Sequence, residues 1–109
     1  MLMNDYQKKA MRTARSADAK DEVFHLLLGL SGEVGEVMEK AKKVVRDNDS
    51  HFDDNFRREL YKELGDVLWY IAALCNYFDT DLASVAEMNI RKLQDRKDRG
   101  VLGGSGDDR

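Results

Sequence analysis

The sequence predicts an all-α protein of four helices, and three observations carry that reading. Its 109 residues include no proline, so nothing in the chain forbids long helices. Charged residues make up 36% and hydrophobic residues 42%, a balance that suits amphipathic helices rather than a disordered or membrane-embedded chain. Two long segments also carry apolar residues at alternating steps of four and three, the spacing of helices packed side by side in a bundle. A chain of this length is expected to be one domain with a single modest core.

The first helix is expected from about Asn4 to Ala17, with Met3, Tyr6, Ala10, Ala14 and Ala17 at helical spacing. The second starts near Asp21, a residue suited to N-capping, and continues to about Arg46. Its apolar stripe is Val23, Leu27, Leu30, Val34, Val37, Ala41 and Val44. The third spans about Asp53 to Phe78 on Phe56, Leu60, Leu64, Val67, Ile71, Leu74 and Phe78. The fourth follows the polar run at 79–81 and carries Leu82, Val85, Ala86, Asn89 and Leu93 to about Arg99. Between the second and third helices Asp47, Asp49, His51, Asp53 and Asn55 alternate, which invites a calcium-loop reading. The register fails, because Phe52 stands where a glycine is needed and Arg58 where a bidentate glutamate belongs. The stretch at about 100–109 is Gly-rich and by composition flexible.

Composition also narrows the function classes. A net charge of −3 offers no basic surface for polymeric nucleic acid. No apolar run approaches a membrane span, and the first ten residues lack the apolar core of a secretory signal. One cysteine, Cys75, has no internal partner and fits a reducing cytoplasm, the expected location. In its apolar surroundings Cys75 reads as a small buried hydrophobe.

The second helix contains Gly32-Glu33-Val34-Gly35-Glu36-Val37, and the third nearly repeats it as Lys62-Glu63-Leu64-Gly65-Asp66-Val67. Residues three apart share a helix face, so Glu33 with Glu36, and Glu63 with Asp66, each present two carboxylates side by side. Every one of these acids directly precedes a stripe residue, which gives both pairs the same angular offset from the core seam. If the helices pack antiparallel, as a short loop favours, four carboxylates converge. Converging acids repel unless neutralised, and Mg²⁺ takes such oxygen ligands together with waters and substrate phosphates. Acids three apart on one charged helix are ordinarily a solvated face; the second pair, at the matching offset and with a matching glycine, favours a site. A glycine inside a helix costs about 1 kcal/mol relative to alanine, so Gly35 and Gly65 are expected to leave room for close helix approach, metal or ligand. Lys40 and Lys43 can pair with Glu36 and Glu39 along the same helix, which leaves Glu39 as surface, and Glu59 extends the acidic face by a turn.

The fourth helix supplies a basic counterpart. Asn89, Lys92 and Arg96 step by three and four and share a face, with Arg99 a turn further on. A carboxylate metal cluster opposite such a face suits a metal–polyphosphate complex, in which metals take some oxygens and cations others.

These blocks together, "LSGEVGEVMEK", "ELYKELGDVLWYIAAL" and "NIRKLQDRKDRGVLGGSGD", resemble the MazG-like branch of the all-α nucleoside triphosphate pyrophosphohydrolases. The family's signature, ExxE and then ExxD, is matched by Glu33, Glu36, Glu63 and Asp66, and its downstream asparagine and lysine by Asn89 and Lys92. The resemblance implies a helical bundle completed by oligomerisation, as a homodimer or homotetramer. It implies Mg²⁺, or Mn²⁺ in its place, held by the four acids. The implied reaction is hydrolysis of a (d)NTP between its α- and β-phosphorus to (d)NMP and pyrophosphate, in the service of nucleotide-pool cleansing or regulation. A glutamate of the cluster would help a water attack. Lys92 and Asn89, with Arg96, would hold phosphates and sugar. Trp69, Tyr70, His25 and Tyr6 are candidates for stacking on the base, although aromatics at helical spacing are more often core.

Two other classes compete. A non-catalytic helical adaptor with the same fold has little reason to keep four intact acids beside two interior glycines. A di-iron carboxylate bundle expects a Glu-x-x-His pair on each of two helices, and neither His25 nor His51 follows a glutamate by three.

Overall fold

A computed structural model describes residues 1–15 and 20–109. It consists of α1 (Met3–Met11), α2 (Glu22–Asp47), α3 (Asp54–Tyr77) and α4 (Leu82–Asp98), with no strand among the described residues. The protein is all-α. α2 and α3 form a long antiparallel hairpin, α1 lies against α3, and α4 packs on α1 and more briefly on α3. No helix among the described residues is long and apolar enough to cross a membrane.

Local chemistry sets the helix ends. Asp53 caps α3 by accepting the Phe56 backbone N–H at 2.7 Å, and Asp81 caps α4 by accepting that of Ser84 at 2.8 Å. Asp21 precedes α2 as expected, but its side chain makes no capping bond. α3 ends with Asp79 in the left-handed region, φ 56°, where Thr80 N–H returns to the Cys75 carbonyl at 2.9 Å. In the Asp-rich loop, Asp47 is engaged by Arg46, and no metal-competent grouping forms there among the described residues.

α1 is shorter than its apolar spacing predicts. It stops at Met11, and Arg12, Thr13 and Ala14 make tighter bonds to the carbonyls of Lys9, Ala10 and Met11. The reason lies in α3, whose Trp69 indole N–H donates to the Ala10 carbonyl at 3.2 Å and to Thr13 Oγ1 at 2.8 Å. Ala14 is exposed, and the expected end at Ala17 lies outside the described residues.

The core gathers where α1, α3 and the start of α4 meet. Ala10, Ala72, Cys75 and Leu82 are buried there, with Tyr6, Met11, Trp69 and Ile71 packed around them. Cys75 is the small buried hydrophobe its surroundings predict. A polar stitch completes this corner. The buried Gln7 of α1 donates to the Thr80 carbonyl at 3.0 Å and accepts the Leu82 N–H at 2.8 Å, while Asn4 accepts the Ala83 N–H at 3.1 Å. One α1 face thereby fixes the turn that launches α4.

Elsewhere the stripes are only partly covered. Val44 is buried and Leu30 and Val37 are half-buried, but Leu27, Val34, Leu64 and Phe78 are exposed, as are Phe24, Leu28 and Met38. Two helices in a hairpin cover only one side of each other, and among the described residues no other helix packs on α2.

The glycines divide in an unexpected way. A Cβ placed on Gly35 or Gly65 meets nothing within 4 Å, whereas one on Gly29 would lie 2.2 Å from Tyr70 Cε1. Close helix approach therefore occurs at Gly29 and not at the two glycines beside the acids. Since alanine gains up to about 1 kcal/mol in a helix interior, Gly35→Ala and Gly65→Ala are expected to raise the melting temperature of the isolated protomer. A drop in thermal scans would mean that something outside the protomer packs against these positions.

Candidate metal and phosphate site

The antiparallel pairing of α2 and α3 brings side chains together in mirrored steps. Advancing four, three and four residues along α2 from Gly29 gives Glu33, Glu36 and Lys40. Retreating by the same steps along α3 from Tyr70 gives Asp66, Glu63 and Glu59. Gly29 accommodates the Tyr70 ring, and Lys40 Nζ lies 3.8 Å from Glu59 and 3.7 Å from Glu63. The two acid layers stand between these ends.

Glu33, Glu36 and Glu63 offer carboxylate oxygens that all lie within 4.8 Å of one another. Asp66 stands outside that trio but on the same edge, close enough for its charge to act on Glu33. Burial, and then the charges of Asp66 and Glu63, push the Glu33 carboxyl above the usual range. Glu63 is also pushed up, first by hydrogen bonding with the Glu36 carboxyl, then by burial and the Glu36 charge, with Lys40 opposing. Carboxylates crowded in this way resist ionising together.

The donor set fits a hard divalent cation. It is oxygen-only and carries more negative charge than Lys40 balances, and Glu33 Oε2 is buried with no hydrogen-bond partner among the described residues. A buried acceptor left alone is costly, and a cation at this edge would satisfy it.

Beside the acids, past the Gly29–Tyr70 contact, opens a cavity of about 690 Å³. His25, Leu26, Trp69, Tyr70, Asn76 and Tyr77 are among its walls. Trp69 and Tyr70 meet edge to face, with ring centroids 5.1 Å apart. Tyr6 does not line it; its hydroxyl is pushed up by burial and by the charge of Asp66, which places it near the acids.

α4 lies elsewhere. Among the described residues it does not pack against α2, and Lys92 and Arg96 pair with Asp107 rather than with any of the four acids. Asn89 is exposed. Lys92 Nζ lies 3.1 Å, and Arg96 Nη2 2.9 Å, from Asp107 Oδ1. Arg99 pairs with Asp95 at 2.9 Å.

Residues 22–101 match the family model of the MazG nucleotide pyrophosphohydrolase domain. The chain belongs to the MazG nucleotide pyrophosphohydrolase family. The match begins at the first residue of α2 and runs through α4, so it contains both acid pairs and the basic face. The gene 37 protein of Mycobacterium phage L5 is 46% identical over 114 aligned residues, covering all of both chains; its name states no activity. No solved structure matches this chain.

At this candidate site the sequence names Lys40, Glu59 and Tyr70 but not their contacts, and Gly29 is the residue it misses. Lys40 was expected to pair with Glu36 along α2, yet it crosses to Glu59 and Glu63, because mirrored packing sets Glu59 opposite it. Lys42, not Lys43, pairs with Glu39, at 3.9 Å. Glu59 also accepts from Lys62 at 3.0 Å, which engages it in charge balance. Gly29 and Tyr70 carried a usable signal, since they occupy mirrored positions one turn beyond Glu33 and Asp66.

Proposed function

We propose that this MazG-family chain hydrolyses a nucleoside or deoxynucleoside triphosphate to the monophosphate and pyrophosphate. Glu33, Glu36, Glu63 and Asp66 would hold Mg²⁺, with Mn²⁺ able to replace it. The observation that carries this reading is the meeting of Glu33, Glu36 and Glu63 across the α2–α3 seam, with one buried oxygen lacking a partner. Mg²⁺ bound there supplies charge neutralisation for a polyphosphate and acidifies water.

The chain's own groups do the rest. A water oxygen forms the new bond at the α-phosphorus, the bridging oxygen departs with pyrophosphate, and the water's proton passes to a carboxylate of the cluster. The adjoining cavity is large enough for a nucleoside. Trp69 serves it with its ring, because its indole N–H is already committed to α1.

Asn89, Lys92 and Arg96 hold phosphates and sugar in this reading. Since α4 does not pack on α2 within a protomer, a second copy, in a homodimer or homotetramer, brings a basic face to the acids. The exposed Leu27, Leu28, Val34, Met38 and Leu64 supply apolar surface for such contacts. The setting is cytoplasmic nucleotide-pool cleansing or regulation, with no membrane or polymeric nucleic acid as partner.

Purified protein with Mg²⁺ and a panel of standard and modified triphosphates tests the reading. Monophosphate and pyrophosphate are the expected products. Diphosphate and orthophosphate would overturn the chemistry, and a folded, Mg²⁺-binding protein that turns over nothing would favour an adaptor.

A further inference from the structure

The 100–109 segment, Gly-rich and expected to be flexible, folds back on α4 through polar contacts. Gly100, φ +72°, ends α4 with its N–H on the Lys97 carbonyl, and Val101 N–H follows onto that of Arg96 at 2.9 Å. The chain then turns back through Gly104 and Gly106, at φ +95° and +88°. Arg109 bonds to the carbonyls of Leu102, Gly103 and Gly106, and Arg99 donates to the Arg109 carbonyl at 2.6 Å. This loop delivers Asp107 to α4. Its Oδ1 receives Lys92 Nζ at 3.1 Å and Arg96 Nη2 at 2.9 Å, and Arg96 Nη2 also bonds to the Asp107 carbonyl.

Two cations one turn apart, converging on a single anionic oxygen, form the arrangement in which Lys and Arg take up a phosphate oxygen. Here a carboxylate of the same chain fills it. Taking Lys92 and Arg96 as phosphate-binding residues, as proposed above, we infer that they form an anion site which Asp107 occupies in cis, and that a polyphosphate must displace the 100–109 segment to bind there.

Burial separates this from a mere positioning role. A positioning aspartate would leave both cations with donors free for substrate. The Arg96 side chain is only 6% exposed, against 42% for Lys92, and its Nε is buried without a partner among the described residues. With Nη2 taken by Asp107 and Nε buried, Arg96 offers a ligand its full fork of donors only when the segment leaves. Leaving is easy, because the latch is superficial. The Asp107 side chain is 80% exposed, Leu102 through Asp108 are all exposed, and only Val101 and Arg109 are half-buried. Release forfeits the exposed Lys92 pair, a small term, while the bonds lost to the buried Arg96 are replaced by those it makes to the incoming phosphate oxygens.

The test measures affinity for inorganic tripolyphosphate in metal-free buffer, which probes the basic face without the acids. Wild type, Asp107→Asn and Lys92→Met are compared by ³¹P NMR titration, with circular dichroism confirming the fold. Asp107→Asn is expected to bind about three- to tenfold more tightly, the size expected when exposed ion pairs no longer compete, while Lys92→Met binds more weakly. Unchanged or weaker binding by Asp107→Asn, with Lys92→Met still impaired, would overturn the inference and leave the phosphate role of Lys92 intact. If Lys92→Met binds as the wild type does, that role fails and the inference with it.

Discussion

Glu63→Gln is expected to lower triphosphate turnover by about two orders of magnitude or more while stabilising the metal-free protein. Loss of activity follows from the proposed ligand role: even partners that only orient a metal's ligands cost about 10–100-fold when removed, and a direct ligand does not cost less. The stability gain follows from crowding. Hydrogen bonding with Glu36, burial and the Glu36 charge all raise the Glu63 carboxyl, and Lys40 only partly opposes them. A raised carboxyl contributes stability below its ordinary pKa of about 4.3, and that contribution is lost as pH rises through the raised value. Glutamine stays neutral, so the variant's advantage in melting temperature is expected to grow as pH rises from the ordinary glutamate range towards neutrality and to vanish at acid pH. Mg²⁺ is expected to stabilise the wild type more than the variant and to narrow the gap. Thermal scans across pH, with and without Mg²⁺, check both; a variant less stable than the wild type at neutral pH would contradict the account of the cluster.

Gly29→Ala is expected to have the largest effect on stability of any single methyl added to α2. The new Cβ would lie 2.2, 2.5 and 2.8 Å from Cε1, Cζ and Oη of Tyr70, well inside contact distance. The Tyr70 ring is half-buried and meets Trp69 edge to face, and Trp69 in turn holds the end of α1. Moving the ring therefore disturbs three helices. Overpacking of this kind costs about 1–3 kcal/mol, partly offset by the better helix propensity of alanine, up to about 1 kcal/mol. At about 4–8 °C per kcal/mol for a domain near this size, a clear fall in melting temperature is expected. Tyr70→Leu in the same background should restore much of it, because the clash is with the ring; absence of rescue would place the damage elsewhere. Gly35→Ala, with open space around it, is the internal control.

The acid cluster was legible because its geometry is mostly local. Two carboxylates three residues apart on each helix, at equal offsets from an apolar stripe, need only an antiparallel partner to converge. The short loop supplied that partner. Features that depend on distant partners were not legible. The α1 end is set by an indole from α3, and the α3–α4 turn by Gln7 from α1; neither leaves a local pattern. Lys40 has a plausible partner one turn away on its own helix, and only the mirrored register reveals the better placed pair across the seam. The fold-back of the 100–109 segment onto α4 rests on bonds of Asp107 and Arg109 to residues 92–106, which glycine content alone does not suggest. The apolar stripes predicted burial that two helices cannot provide by themselves, which leaves Leu27, Val34 and Leu64 exposed.

In the proposed reaction the α2–α3 carboxylates direct water to the α-phosphorus of a nucleotide. Turnover in ¹⁸O-labelled water with Mg²⁺ tests it most directly, with the products resolved by mass. Label is expected in the nucleoside monophosphate and none in the pyrophosphate, with product formation lost in Glu63→Gln. Label in the pyrophosphate, or orthophosphate as the labelled product, would contradict it.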